Sequence, residues 1–510
     1  MDAAIAASAA LSVIYPHMTG LGGDAFWLIY DAKQKRVRYL DGAGCAAASA
    51  AIESFRARGM DEIPFRGILP ATLTVPGAVA SWCEAHAAHG RLPLARNLAA
   101  AAGYAREGFP VTERLANWIA ATAPELAQNQ EAAAIFLKHG KAPRTGQTLV
   151  NADLARSIEA VGAGGREAFY GGEIAQELAR YALANGGFFS AADFRAQHAQ
   201  WREPIHTDYR GVRLYQTPPP TQGISVLQML NLLEPYELGA MQYLGADHVH
   251  FLVQAKQLAY HDRDRWVADP AFADVPVERL LSRAYAGQRR ALIDQSAARP
   301  VEGDRYTRPR PESAVLPGNP GDFTRECTTH LDVIDADGNC VSITQSIGAV
   351  FGSGFMAGDT GIMMNNFLYF LDYDPESPNA IRPGGQMLGP LSPTMLFRDG
   401  RLFLSIGTPG GFGITQTTMQ MISNVVDHGF GVQAAIEAPR FKTLVNRQLV
   451  IEDRVPAETL DALRALGHEV VTVEEWSAAV GGGQGILVDP DTGAYSGGAD
   501  PRRDGYAMGW

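Results

Sequence analysis

A threonine directly after a Pro- and Gly-rich segment is the first residue of this sequence that is placed for covalent chemistry. Residues 298–327 combine Pro, Gly and charged residues with hardly an apolar run, which predicts a mobile surface linker. Thr328 follows it and begins an alternating, strand-like stretch. A cut before Thr328 would free an α-amino group, with an ordinary pKa of about 8, to take the proton of the Thr328 hydroxyl. The pattern suggests self-cleavage between Cys327 and Thr328, although a bare Thr-Thr-His run is more often ordinary strand.

Two histidine pairs and one Gly-rich run are the other candidates for chemistry. His86 with His89, and His248 with His250, have no third ligand at a suitable spacing, so we expect solvated surface histidines and no metal. The run GGGQG at 481–485 lacks the Lys-Ser/Thr of a phosphate loop and a strand-turn-helix pattern. We therefore expect a flexible turn there, and no cofactor.

Antiparallel strands are the elements predicted to position Thr328. Residues 329–334 and 340–347 alternate in polarity, and Asp337-Gly338 offers a tight turn between them. A second hairpin is predicted at 395–406, around Asp399-Gly400.

Helices are predicted to dominate the first half of the chain. A helix of small residues opens the chain, with Asp2 as its N-cap, and residues 15–30 combine a Gly-rich loop with the apolar strand that it leads into. From about 92 to 233 the pattern is mostly helical. The amphipathic Ala-rich stretches are 94–107, 113–136, 151–163 and 172–184.

Composition bounds the class of protein. The 510 residues, 46% hydrophobic and 19% charged, indicate a globular protein of one to three domains. A balance of 43 Lys and Arg against 55 Asp and Glu, a net charge of −12, disfavours nucleic acid as a partner. Four dispersed cysteines fit reduced thiols in a cytoplasm. The uncharged stretch at 3–23 is broken by Pro and Gly and has no positive flank, so we expect neither an export signal nor a membrane span.

Motifs along the whole chain show a family resemblance, which changes the interpretation of the Thr-Thr-His run. The sequence resembles the gamma-glutamyltransferase family of N-terminal nucleophile hydrolases, and the blocks occur in the family's order. The main blocks are DAAIAASAAL (2–11), PHMTGLGGDAF (16–26), TTHLDVIDADGNCVSITQS (328–346), FGSGFMAGDTGIMMNN (351–366), LSPT (391–394) and GTPGG (407–411). Supporting blocks are YAREGFPVTERLA (104–116), PPPTQG (218–223) and APRF (438–441).

The resemblance implies an α+β fold, a four-layer αββα sandwich in which both cleavage products, 1–327 and 328–510, form one structural unit. It implies that Thr328 is the nucleophile of both self-cleavage and catalysis, and that Ser346 hydrogen-bonds to it. Gly410 and Gly411 fall on the family's oxyanion hole, where two backbone N–H groups stabilise the tetrahedral intermediate. The family has a further strand and helix before the first block, so we expect the natural chain to begin upstream of Met1.

The sequence departs from the family at the residues that hold a gamma-glutamyl group. Ala43 replaces the arginine that binds the substrate carboxylate, and Phe367 and Phe370 replace the residues that bind its ammonium group. Gly389-Pro390 replaces a serine pair of the family, and Gly348 replaces an asparagine. We expect Phe367 and Phe370 to line a smaller or more apolar acyl pocket, although they could equally be core.

The resulting prediction is a self-processing amidohydrolase that cleaves a small amide, most like the family's oxamate amidohydrolase branch, with the cephalosporin acylase branch as another divergent type. A small anionic acyl group would need a cation, for which Arg382 and Arg440 are candidates. One rival function is gamma-glutamyl transfer. The other is an uncleaved relative that acts only as a binding protein.

Overall fold

Two antiparallel sheets form the centre of the protein in the computed structural model, which describes residues 1–63, 70–298, 326–443 and 448–509. Nearly all of the predicted linker at 298–327 therefore lies outside the described residues. The strands of the first sheet are β1 (Asp24–Asp31), β2 (Arg36–Gly42), β5 (Gln200–Arg202), β8 (Glu326–Ile334) and β9 (Cys340–Ala349). Their order in the sheet is β5-β2-β1-β9-β8.

The strands of the second sheet are β6 (Ile205–Tyr209), β7 (Val212–Gln216), β10 (Thr394–Arg398), β11 (Arg401–Gly407), β15 (Gln484–Val488) and β16 (Tyr495–Ala499). Their order is β16-β15-β11-β10-β7-β6, and the sheet packs against the first through β11 and β15, which contact β8 and β9. Small sheets pair β3 (Phe109–Pro110) with β4 (Thr148–Leu149), and β12 (Phe441–Thr443) with β13 (Gln448–Glu452) and β14 (Glu469–Val473).

Helices cover the outer face of each sheet. Helices α1 and α3 contact the first sheet, α11 and α15 contact the second, and each set shares a buried apolar cluster with its sheet. The helices before the linker are α1 (Asp2–Ile14), α2 (Ile52–Arg56), α3 (Ala78–His89), α4 (Leu94–Glu107), α5 (Glu113–Ala121), α6 (Ala123–Leu126), α7 (Gln130–Phe136), α8 (Ala152–Tyr170), α9 (Glu173–Ala184), α10 (Ala191–Ala196), α11 (Gly223–Leu233), α12 (Ala246–Trp266), α13 (Val277–Leu281) and α14 (Arg283–Arg290). Those after it are α15 (Ile414–Val426), α16 (Val432–Glu437) and α17 (Ala457–Ala465). The layers run helix, sheet, sheet, helix, so the predicted αββα sandwich is confirmed.

Both predicted hairpins are present, as β8–β9 and β10–β11. The stretch 113–136 is three short helices and not one, and the helical region also contains the β6–β7 hairpin.

The prediction that Asp2 is the N-cap of the first helix is wrong, since Met1 is the N-cap and Asp2 is the first helical residue. The Asp2 carboxylate instead accepts hydrogen bonds from the Arg91 N–H and from Asn97 Nδ2.

The expectation of solvated histidines is wrong for one pair. His248 and His250 lie on buried positions of α12, only 2% and 1% exposed. His250 Nδ1 is 2.8 Å from Nε2 of His468, and His248 Nε2 is 3.2 Å from Nε2 of His428. Burial lowers the pKa of His248 to about 4, which favours the neutral ring. These rings belong to the helix packing.

None of the described helices is both long and apolar enough to cross a lipid bilayer.

Candidate active site

Thr328 lies on β8 at a β-bulge in the pairing of β8 with β9. Cys327 pairs with Gly348 and Thr329 pairs with Gln345, so two residues of β9, Ser346 and Ile347, lie opposite Thr328 alone. Such a bulge bends the strand and redirects side chains, and bulges are common beside active sites. The side chain of Thr328 is buried, and the residue is 1% exposed.

Ser346 connects the hydroxyl of Thr328 to the peptide bond before it. Thr328 Oγ1 donates to Ser346 Oγ over 3.3 Å, and Ser346 Oγ donates in turn to the carbonyl oxygen of Cys327. The Gly348 N–H donates to the same serine oxygen over 2.8 Å. Ser346 thus contacts both Thr328, the predicted nucleophile, and the Cys327 carbonyl group that Thr328 would attack.

A glycine makes this turn of β9 possible. Gly348 has φ +95°, and a Cβ there would overlap Oδ1 of Asn366, which accepts a 2.8 Å hydrogen bond from the Ala349 N–H. A side chain at this position would therefore be strained and would displace Asn366. Asn366 belongs to the Asn-Asn pair of the motif at 351–366, for which the sequence indicated no role.

The residues predicted to form the oxyanion hole follow β11. Gly410 and Gly411 have φ +133° and +53°, and a 3-10 turn at Gly411–Gly413 begins with a 2.8 Å bond from the Gly413 N–H to the Gly410 carbonyl. The first N–H groups of a helical turn have no partner inside it. The turn contacts β8, so the predicted oxyanion donors lie near the strand that carries Thr328.

The glycine run at 481–485 supports this loop. The Gly482 N–H donates to Thr408 Oγ1 over 2.9 Å, and the Gly483 N–H donates to Asp500 over 2.8 Å. The run is mostly buried and leads into β15. The prediction of a flexible turn is therefore wrong, because its backbone is bound to the neighbouring loop.

Gln222 is a site residue that sequence reasoning did not identify. It precedes α11, and its Nε2 donates to the Pro390 carbonyl over 2.7 Å and to the Gly411 carbonyl over 3.1 Å. Arg263 Nη1 donates to Gln222 Oε1 over 3.1 Å. The PPPTQG block marked the position, but only the tertiary structure shows that the Gln222 amide joins the segment at 389–390 to the 3-10 turn at Gly411–Gly413, called the oxyanion turn below for its predicted role.

Phe367 and Phe370 lie in a 3-10 turn, Phe367–Phe370, and not in a strand. Both are fully buried in the apolar cluster of the first sheet. Phe367 Cδ1 would be 3.4 Å from a Cβ at Gly348, and the rings of Phe370 and Phe412 are 5.5 Å apart. The two rings therefore lie between the bulge and the oxyanion turn, where they are both core and close to the site.

Ala43, which the resemblance places where the family has a carboxylate-binding arginine, is closely packed in this chain. The Ala43 N–H donates to Asp41 Oδ1 over 3.0 Å, and its carbonyl accepts a 2.8 Å bond from Gln197 Nε2. Asp24 lies beside it, directly opposite Ser346 in the β1–β9 register. Burial raises the pKa of Asp24 to about 8, although the Gly77 N–H donates to its carboxyl group over 3.0 Å.

The two candidate cations have different surroundings. Arg440 is fully buried and paired with Asp500, and burial lowers its pKa to about 10. Arg382 is half-buried, and its Nη1 donates to the Phe272 carbonyl over 3.3 Å. Phe272 lines a groove of about 800 Å³ together with Arg202. Arg440 is therefore part of the structure, whereas Arg382 lies at the rim of an open groove.

The chain matches known proteins over its whole length. A family model described as gamma-glutamyltranspeptidase matches residues 1–510. The glutathione hydrolase-like YwrD proenzyme of Bacillus subtilis (strain 168) is 37% identical over 517 residues, covering 100% of this chain and 93% of that protein. The oxamate amidohydrolase proenzyme of Klebsiella pneumoniae subsp. pneumoniae is 33% identical, covering 100% and 94%. The crystal structure of cephalosporin acylase from Bacillus halodurans superposes with a TM-score of 0.90 at 34% identity, covering 100% and 91%.

Proposed function

The chain belongs to the gamma-glutamyltranspeptidase family, an N-terminal nucleophile hydrolase family acting on amide bonds, and from this premise we propose that it is a self-processing amidohydrolase whose nucleophile is Thr328. The observation that carries the proposal is the contact of Ser346 with both the Thr328 hydroxyl and the Cys327 carbonyl.

Self-cleavage begins with attack by Thr328 Oγ1 on the carbonyl carbon of Cys327. The hydrogen bond from Ser346 polarises this carbonyl and stabilises the negative charge that develops on its oxygen. The C–N bond breaks, the freed nitrogen takes up the hydroxyl proton, and an ester joins Cys327 to Thr328 Oγ1. Water then hydrolyses the ester, which leaves a carboxylate on Cys327 and a free α-amino group on Thr328.

Turnover uses the new α-amino group as the base. It takes the proton of Thr328 Oγ1, which attacks the substrate amide carbonyl, while the N–H groups of Gly410 and Gly411 hold the developing oxyanion. The proton passes to the leaving nitrogen, and ammonia or an amine departs. Water hydrolyses the acyl-threonine ester and restores the hydroxyl. Losing one oxyanion donor typically costs about 3 to 4 kcal/mol of transition-state stabilisation.

The substrate we propose is a small, oxamate-like amide. Ala43, Phe367 and Phe370 stand where the family binds the two charged groups of a gamma-glutamyl substrate, and an apolar ring cannot neutralise an ammonium group. Sequence identity does not distinguish the substrate branches of the family. The relatives named for glutathione, oxamate and cephalosporin are 37%, 33% and 34% identical to this chain. A bulkier acyl group is therefore the second candidate.

The test compares ammonia release from oxamate and other short amides with anilide release from a gamma-glutamyl anilide, with Thr328→Ala as the blank. A lost carboxylate contact is typically worth about 2 to 5 kcal/mol, so kcat/KM on the anilide should lie two or more factors of ten below that of a true transpeptidase. Efficient gamma-glutamyl transfer without oxamate hydrolysis would refute the substrate assignment. Activity on neither, with normal cleavage, would favour the bulkier acyl group.

The alternative of an uncleaved binding protein is decided by mass spectrometry of the purified product. We expect two fragments that stay together as a heterodimer, with the smaller one beginning TTHLD, and a single chain for Thr328→Ala. Cleavage of Thr328→Ala at the same bond would show that a host protease is responsible.

The four free cysteines support a reducing compartment, and we assign the activity to the cytoplasm.

A further inference from the structure

A buried His-Asp pair lies on the strand of the nucleophile but outside the reaction described above. His330 is two residues after Thr328 and faces the same side of β8. Its Nε2 is 2.9 Å from Asp332 Oδ2, and its Nδ1 is 2.8 Å from Thr344 Oγ1 on β9. Both side chains of the pair are almost completely buried.

This pair connects the two sheets. Ser405 Oγ, on β11 of the second sheet, donates to Asp332 Oδ1. The ring of His330 packs directly on Gly407, where an added Cβ would overlap three of its ring atoms. Gly407 is the last residue of β11, and the predicted oxyanion donors Gly410 and Gly411 follow three and four residues later.

We propose that His330 and Asp332 are positioning residues, which set the separation between Thr328 and the N–H groups of Gly410 and Gly411. This inference rests on the proposed function, because it concerns the same acyl transfer. The pair acts through geometry: one end is part of the nucleophile strand and the other end holds the strand that leads into the oxyanion turn. Neither side chain touches the substrate or carries its proton.

Two substitutions of Asp332 distinguish the effect of its hydrogen bonds from the effect of its charge. The Asp332 carboxylate only accepts, so His330 donates from Nε2 and accepts at Nδ1 from the Thr344 hydroxyl. In Asp332→Asn the side-chain amide donates to Nε2, the ring proton moves to Nδ1 and donates to Thr344, and Ser405 still donates to the remaining oxygen. Asn therefore keeps every bond and removes the charge, whereas Ala removes the bonds to both partners.

Self-cleavage and turnover should respond differently. The donor to the Cys327 carbonyl is Ser346, on the first sheet, whereas turnover uses the loop after β11 on the second sheet. A shift of β11 relative to β8 therefore leaves cleavage intact and lowers kcat. A general loss of stability would impair both.

The experiment measures cleavage, kcat and KM for Asp332→Ala, Asp332→Asn, Ser405→Ala and a matched control, Ser342→Ala. Ser342 lies opposite Asp332 in the β8–β9 register, and its buried hydroxyl has no hydrogen-bond partner among the described residues. We expect Asp332→Ala to cleave fully and to lose about 10- to 100-fold in kcat with KM within about twofold, since misplacement by about 1 Å can cost 100-fold. Asp332→Asn and Ser342→Ala should stay within about threefold of wild type.

Two results would overturn the proposal: an Asp332→Asn loss as large as that of Asp332→Ala, which would show that the charge matters, or an unchanged kcat in Asp332→Ala. If Asp332→Ala does not fold, Ser405→Ala decides, because it removes only the bond between the sheets and should still lower kcat without affecting cleavage. Absence of Thr328-dependent turnover in wild type would refute the proposed function instead.

Discussion

Ser346 has more partners than its predicted role required. The family resemblance implied a hydrogen bond to Thr328, and the structure contains it, together with one to the carbonyl of Cys327. In the proposed mechanism one hydroxyl group would therefore serve two steps, since the Cys327 carbonyl is the group attacked only in self-cleavage. After cleavage the contact with Thr328 is the one that remains available.

Replacing Ser346 by Ala should slow self-cleavage more than it slows turnover. The hydroxyl is the donor to the scissile carbonyl, and removing a hydrogen bond to a group that becomes charged costs about 1.5 to 3 kcal/mol, or about 10- to 100-fold in rate. A gel time course of freshly purified protein measures cleavage, and circular dichroism checks the fold. Cleavage at the wild-type rate would place the carbonyl donor elsewhere.

Asp24 should make stability depend on pH. Its pKa is about 8 in the folded protein, because burial outweighs the backbone donors, and about 3.9 when unfolded. Between these values the folded state keeps a proton that the unfolded chain releases, so the free energy of unfolding falls as pH rises.

Asp24→Asn cannot ionise and keeps an oxygen to accept from Gly77. Its free energy of unfolding relative to the parent should rise by up to about 1.4 kcal/mol per pH unit from pH 5 to 7. Urea unfolding in a Thr328→Ala background, which keeps one chain, measures this difference. A pH-independent difference would mean that Asp24 is ionised in the fold.

At the scale of elements, the β9 bulge is what brings Ser346 to Thr328. Alternation in the sequence predicted the hairpin and its turn, because side-chain period and turn residues are local properties. It did not predict the bulge, since one extra residue opposite Thr328 depends on how β9 pairs with both β1 and β8. The 3-10 turn of Phe367–Phe370 escaped prediction for a similar reason, as its apolar spacing also fits a strand.

A pair of glycines in the same hairpin tests the bulge. Gly348→Ala should impair cleavage and lower Tm, because the methyl group would meet Asn366 at a positive φ. Gly338→Ala is the matched control: its φ is +82°, but a Cβ there would be 3.6 Å from Ala32, an ordinary contact. The control should lose only about 1 to 2 kcal/mol from the backbone conformation and should cleave normally. Equal effects of the two variants would show that the close contact between position 348 and Asn366 contributes nothing to cleavage or to Tm.

At the scale of the whole molecule, both predicted fragments contribute to each sheet. In the first sheet β1 pairs with β9, and in the second β7 pairs with β10, so each pair joins a strand from before Thr328 to one from after it. Gln345 Nε2 also donates to the Ser8 carbonyl over 3.2 Å. Cleavage would cut one peptide bond and leave these ladders intact.

The cleaved protein should therefore elute as one species of about 55 kDa or a multiple of it. The physical reason is that separation would expose two central sheet edges and their apolar faces. Size-exclusion chromatography followed by a denaturing gel measures this, with Thr328→Ala as the single-chain reference. Two separately eluting fragments in native buffer would contradict the shared-sheet arrangement.

The sequence by itself determined the two hairpins through local alternation and turn residues, and it determined the family through its ordered motifs. The sandwich class and the residues expected to carry the reaction were implied by the resemblance to that family. All of these can be recognised without knowing which strands are neighbours. The type and position of the threonine after the linker suggested a chemistry, but the family resemblance was needed to favour that chemistry over an ordinary strand.

Only the tertiary structure decided which groups meet around that threonine. The contact of Ser346 with Cys327, the place of Asp24 opposite Ser346 and the bond from Ser405 to Asp332 join residues on different strands. Such contacts depend on strand register and on how the two sheets pack. Shifting a strand by one residue would turn each of its side chains to the other face of the sheet. No local pattern encodes that choice, since it is made by burial of both sheets against their helices.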